Sequence, residues 1–149
     1  MMRIDSAITT IPLDPAVRYG RLDNGLSYYL LENTSPGGNL ELSLAVGVGS
    51  LEQRVGDDGI AHFLEHMLFN GTEAFPGNEL GQVVKGLGVE VGPDLNAYTT
   101  CEATVYQLRI PTATPAAVEV AFDVLDQWAT AATLEPAAVD GERGVVLDE

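Results

Sequence analysis

A single cysteine, Cys101, stands among these 149 residues, and its solitude closes off two classes of protein. No internal disulfide can form, and no zinc site built on four cysteines, or on two cysteines with two histidines, can be assembled. Cationic side chains are scarce as well: 7 Lys and Arg stand against 22 Asp and Glu, a formal charge of −15. Nucleic acid and an anionic membrane surface would both be repelled, so neither is expected as a partner, and the acidity itself serves solubility. No stretch approaches the ~20 apolar residues needed to cross a bilayer, and the start, Met1-Met2-Arg3-Ile4-Asp5-Ser6, lacks the apolar run of a signal peptide. Taken as genuine, that start predicts a cytoplasmic protein; a removed N-terminal signal would make it periplasmic or secreted. Internal repeats and low-complexity tracts are lacking, and Thr34-Ser35-Pro36-Gly37-Gly38 reads as a loop rather than a linker. What remains, with 46% hydrophobic residues, is enough for one domain with a real core.

Histidine is nearly as rare as cysteine, yet both histidines fall in one five-residue stretch, His62-Phe63-Leu64-Glu65-His66, or H-x-x-E-H. Two imidazoles are ligands suited to a divalent metal such as zinc, and the glutamate beside the second is a carboxylate able to take a proton from water. The surrounding pattern predicts a helix: Asp57-Asp58-Gly59 offers an aspartate as cap, Ile60, Phe63, Leu64, Met67 and Leu68 follow the 3.6-residue period, and Asn70-Gly71 is a stop signal. His62 and His66 then lie on one face with Cβ atoms about 6 Å apart, and Glu65 sits at its rim.

Elsewhere the pattern alternates between sheet and helix. Asp23-Asn24-Gly25 is a hairpin turn leading into a strand over Leu26–Leu31, and Leu40, Leu42, Leu44, Val46 and Val48 put apolar side chains on one face of another. A helix is expected over Pro76–Lys85, strand character over Asn96–Ile110 with Thr104, Tyr106, Leu108 and Ile110 on one face, and a long helix over Pro115–Ala132 with Val118, Phe122, Leu125 and Trp128 buried. The segment Pro136–Glu149 is helical in pattern but carries no C-terminal glycine or basic residue, which predicts a fragment cut inside an element. The fold class is α+β: a mixed, mainly antiparallel sheet with helices on one face.

Two histidines leave a catalytic zinc one protein ligand short, and a carboxylate is the usual third. Glu135, Glu142 and Glu149 are spaced by seven, so on one helix all three point nearly the same way and any could face a metal. Glu142 is the best candidate, lying two turns inside the helix, while Glu135 precedes Pro136 and Glu149 is the last residue. Gly141 and Gly144 beside it suggest a close backbone approach.

At this point the sequence resembles the pitrilysin/insulinase family of inverted zinc peptidases, which includes the mitochondrial processing peptidase. Gly59-Ile60-Ala61-His62-Phe63-Leu64-Glu65-His66-Met67-Leu68-Phe69-Asn70-Gly71-Thr72 matches its H-x-x-E-H helix, Asn96-Ala97-Tyr98-Thr99 with Thr104-Val105-Tyr106 resembles its strand beside the active site, and Glu142-Arg143-Gly144-Val145-Val146 resembles the segment with its third ligand. The resemblance implies one Zn²⁺ held by His62, His66 and Glu142, Glu65 as general base toward water, Glu135 as a supporting acid, and Asn96 and Ala97 at the substrate. It implies an endopeptidase for peptides or unfolded polypeptides, with residues 1–17 an N-terminal extension and 18–149 the first part of an incomplete catalytic domain. A C-terminal half-domain, on the same or a partner chain, would complete it. The competing expectation is a non-catalytic relative that serves as an assembly or substrate-holding subunit; such relatives usually lose a ligand or the base, and all four residues are kept here.

Overall fold

The computed structural model describes residues 12–35, 37–111 and 114–149. Most of the expected extension 1–17, the start Met1–Ser6, and Pro36 of the glycine-rich loop lie outside them. The chain divides after Gly37 into two compact units.

The first unit holds a hairpin. Strands β1 (Arg18–Arg21) and β2 (Ser27–Leu30) pair antiparallel, with Gly20 opposite Tyr28. The turn falls where Asn-Gly predicts it: Gly25 takes φ +93°, and Asn24 Oδ1 accepts the Leu26 N–H at 3.0 Å. Strand β1 went unread because Arg-Tyr-Gly-Arg is too short and polar to carry a period.

The second unit is a three-stranded antiparallel sheet with helices on one face. Strand β3 (Asn39–Val46) pairs with β5 (Thr104–Pro111), and β5 with β4 (Leu95–Thr99), giving the order β3-β5-β4. The apolar alternation survives: Leu42, Leu95, Tyr106, Leu108 and Ile110 are buried on one face, while Glu41, Ser43, Asn96, Gln107 and Arg109 are exposed on the other. Helices α1 (Ile60–Asn70), α2 (Glu79–Gly86) and α3 (Pro115–Thr130) cover the apolar face, with Leu68, Leu80, Val84, Ala117, Ala121, Val124 and Trp128 in the same core. Phe69, Tyr106 and Trp128 meet ring to ring beneath the end of α1, with centroids 5.5–6.2 Å apart.

Two stripes are rotated from their expected positions. On α3 the buried row is Ala117, Ala121, Val124 and Trp128, and Phe122 is 52% exposed. Alanines let the helix axis approach the sheet more closely than a row of large side chains would. On α1, Ile60 and Leu64 face outward, and Ala61, Glu65 and Leu68 turn toward the sheet. The cap differs too: Gly59, in the left-handed region at φ +85°, is the N-cap, and Gln53 Oε1 accepts the Ala61 N–H at 2.9 Å in place of an aspartate. Helix α2 begins at Glu79, after Pro76, and the strand run Asn96–Ile110 is broken by the turn between β4 and β5.

That turn packs backbone to backbone on a 3₁₀ turn (Ser50–Glu52), whose Ser50 and Leu51 N–H groups donate to the Thr100 and Cys101 carbonyls at 3.2 and 2.9 Å. A Cβ at Gly49 would collide with those same two backbones. Gly49→Ala is therefore expected to lower unfolding stability by about 1–3 kcal/mol through overpacking against atoms that cannot yield. Denaturant midpoints of the two proteins at equal slope measure it.

Candidate metal centre

The last helix, α4 (Pro136–Leu147), packs on α1, buries none of its own residues fully, and turns Ala138, Val139, Glu142 and Val146 inward. Its start is set by the chain around the end of α1. Thr133 N–H and Oγ1 both donate to the Gly71 carbonyl, at 3.2 and 3.1 Å, and Glu73 N–H donates to the Ala131 carbonyl at 2.9 Å. Gly71, at φ +150°, leaves room for Thr133 there. From that anchor α4 runs antiparallel to α1: Glu142 reaches Asn70 and His66, and Glu149, one residue beyond the helix cap, reaches His66 and His62.

Three donor atoms converge. His62 Nε2 and His66 Nε2 are 3.2 Å apart, and Glu149 Oε2 lies 3.2 Å from the first and 3.4 Å from the second. Ligand atoms held about 2.0–2.1 Å from a tetrahedral zinc are separated by roughly 3.3 Å, so the triangle has the dimensions of one face of that tetrahedron. The donor set, two imidazole nitrogens and a carboxylate oxygen with an open side, is one that zinc fits.

The residue placed with the imidazoles is thus Glu149, where Glu142 was expected. Glu142 sits on the far side of His66: Oε1 is 2.8 Å from Nδ1, and Oε2 accepts a 2.6 Å bond from Asn70 Nδ2. When the ring is neutral and its Nδ1–H is given to this carboxylate, the lone pair stays on Nε2, aimed into the triangle. Glu135 is the exposed N-cap of α4, absent from the cleft lining. By the spacing of seven the three acids were equivalent, and the structure brings Glu149, not Glu142, to the two imidazoles. Gly141 and Gly144 mark no close approach either, since a Cβ at either would meet nothing within 4 Å.

Glu65 is buried at 8% exposure, not at a rim. The Thr99 hydroxyl donates to its Oε2 at 2.5 Å; behind it Thr104 Oγ1 lies 3.2 Å from Thr99 Oγ1 and donates to the Val48 carbonyl at 3.0 Å. With its own proton given to Val48, Thr104 can only accept from Thr99, and the Thr99 proton goes instead to the nearer, acceptor-only carboxylate, 2.5 Å away against 3.2 Å. Burial and the Glu65 charge together raise the Tyr106 phenol well above its ordinary pKa, so it stays neutral and packed. Asn96, Ala97, Tyr98 and Thr99 of β4, an edge strand among the described residues, line the same open cleft of about 610 Å³ as His62, Glu65, His66, Glu142 and Glu149. Thr99 and Asn70 were not singled out from sequence; the one trace was the Thr99–Thr104 pairing implied by a tight turn between strands.

Imidazoles, carboxylate and adjacent acid in one cleft form a set that can hold a divalent metal and accept a proton beside it. Comparison with known proteins agrees. Residues 28–149 match the sequence profile of the insulinase family, peptidase family M16, and the chain belongs to that family. It is 40% identical over 139 residues to a probable zinc protease PqqL of Haemophilus influenzae, which covers 93% of this chain and 15% of that protein. It superposes with a TM-score of 0.89, at 38% identity, on the crystal structure of the first half of the periplasmic protease PqqL from Escherichia coli, covering 93% of this chain and 30% of that one. The ferredoxin protease FusC, solved with Arabidopsis ferredoxin, gives 0.78 at 29% identity over 89% of this chain and 14% of that one. The chain thus spans about a seventh of the curated PqqL relative's length.

Removing the Thr99 hydroxyl tests the Glu65 arrangement. Thr99→Val leaves a buried carboxylate without its donor and is expected to cost about 1.5–3 kcal/mol of stability, whereas Thr99→Ser keeps the bond and most of that stability. Equal denaturation midpoints for the valine and serine variants would contradict it.

Proposed function

We propose that the chain is the metal-bearing first part of the catalytic domain of a zinc-dependent endopeptidase acting on peptides or unfolded polypeptides, residues 18–149 belonging to that domain. The observation that carries this reading is the triangle of His62, His66 and Glu149 with edges of 3.2, 3.2 and 3.4 Å, set in one cleft with Glu65. In this reading His62, His66 and Glu149 hold the ion, and Glu142 fixes the orientation of His66. Zinc, when bound, would supply Lewis acidity toward a scissile carbonyl and toward water.

The chain's own residues then divide the remaining work. Glu65, with Oε2 tied to Thr99, keeps Oε1 available to take a proton from the attacking water and to return it to the leaving amine. Among the described residues β4 is an edge strand, and Ala97 N–H is held by Asn96 Oδ1 at 2.9 Å rather than by β5; an extended peptide would take over that group and add as a strand, held with little regard to its sequence. The cleft is open, and closure over a substrate falls to a further half-domain, on this polypeptide or a partner.

A substrate-holding or assembly subunit would have no need of a complete donor set. The convergence of His62, His66 and Glu149 beside a buried, hydrogen-bonded Glu65 supports hydrolysis over that alternative. The compartment proposed is the periplasm, the one named for the E. coli relative, in place of the cytoplasm expected from the chain's first residues. Among the described residues no helix is long and apolar enough to cross a membrane.

In the full-length protein, Glu65→Gln should keep stoichiometric zinc and lose at least about 10²-fold in peptide hydrolysis, since it replaces a proton acceptor by a neutral isostere. Metal analysis and peptide turnover measured side by side decide this; a zinc-free mutant, or one within a few-fold of the parent, overturns the assignment. Glu149→Ala should release zinc to a weak chelator, while Glu142→Ala should bind about 10–100-fold more weakly yet still bind. The reverse ranking would return Glu142 to the third position.

A further inference from the structure

Asn70 ends α1, where the sequence reads as a stop signal, and its side chain does something a stop signal does not require. Its Nδ2 donates a 2.6 Å bond to Glu142 Oε2, while Glu142 Oε1 takes His66 Nδ1 at 2.8 Å. His62, His66 and Asn70 follow one another at intervals of four along α1, so all three share a row facing α4. The two oxygens of Glu142 are thereby pinned by two side chains of one row. The pinned group is largely sheltered, with the His66 and Glu142 side chains 18% and 16% exposed.

We infer that Asn70 is a positioning residue for the metal centre, acting through Glu142: it fixes the rotation of that carboxylate and so the tautomer and direction of His66. A carboxylate held at one oxygen only can swing about its last torsion, and its partner ring swings with it. Held at both, it presents Oε1 in the one direction that keeps the His66 Nε2 lone pair on the triangle. Glu142 can only accept, so the Asn70 amide must present its NH₂ group, and its orientation is settled by the chemistry. The same clamp acts on α4 as a whole. That helix has no fully buried residue to set its rotation, and Glu149 lies seven residues beyond Glu142, about 10 Å of helix rise. Asn70 therefore orients one donor through a hydrogen bond and another through a helix.

This inference rests on the zinc reading above, and the experiment separates the two. Zinc affinity of the full-length protein is measured by competition with a fluorescent chelator, for Asn70→Ala alone and in a Glu142→Ala background. The expected result is a loss of about 10–100-fold for Asn70→Ala in the parent and less than about 2-fold once Glu142 is gone, because the path it acts through no longer exists. An unchanged affinity, or the same loss in both backgrounds, overturns the inference and leaves the zinc reading standing. A parent protein that binds no zinc overturns both. Asn70→Leu, similar in volume but with no donor, reads the same quantity if the alanine variant does not fold, and affinity equal to the parent's would overturn the inference equally.

Discussion

The candidate metal centre depends on how one weakly packed helix is laid against another. α1 sits firmly, with Ala61, Met67 and Leu68 buried and three aromatic rings gathered beneath its end. α4 contributes the acidic side of the site and has no such anchorage. What orients it is polar and local: the Thr133 bonds to Gly71 at its start, and the pinning of Glu142 between His66 and Asn70 along its length. Apolar contact sets how close two helices come but is indifferent to small rotations, whereas a two-ended hydrogen bond is not.

Glu65 depends on the sheet in a comparable way. A buried carboxylate without a partner is costly, and placing it under the helix is tolerable because Thr99 supplies a proton from β4. The carboxylate wins that proton over Thr104 Oγ1, the other acceptor within reach, by its charge and its shorter distance. The acid and the donor triangle are thus held by different parts of the fold, one by strands and one by a helix pair, and meet in a shared cleft.

Much of this was legible beforehand for identifiable reasons. The alternation over Leu40–Leu44 and Thr104–Ile110 is dictated by strand geometry and was recovered face for face, whereas β3 ends at Val46, and both Val46 and Val48, expected on the same face, are exposed; the histidine row follows from the helix period alone. The errors arose where period is not enough. Phe122 and Ile60 looked like core by size, but the rows that touch the sheet were chosen by how closely a helix could approach. Glu135, Glu142 and Glu149 are equivalent by period, and their separate places depend on the antiparallel run of α4 against α1, a tertiary fact. Position within a helix argued for Glu142, whereas the structure turns Glu142 to the far side of His66 and Glu149 to both imidazoles. Asn70 and Thr99 make their bonds to Glu142 and Glu65, 72 and 34 positions away, and no period of the sequence carries those pairings.

On the proposed reading the Glu149 carboxylate, half exposed, has more conformational entropy to lose when an ion binds than His66, whose side chain is 18% exposed. Binding an ion is then in part the ordering of α4 against α1. Anything that packs on the outer face of α4 would consequently appear as a change in metal affinity, a thermodynamic handle on the chemistry from residues that never touch it.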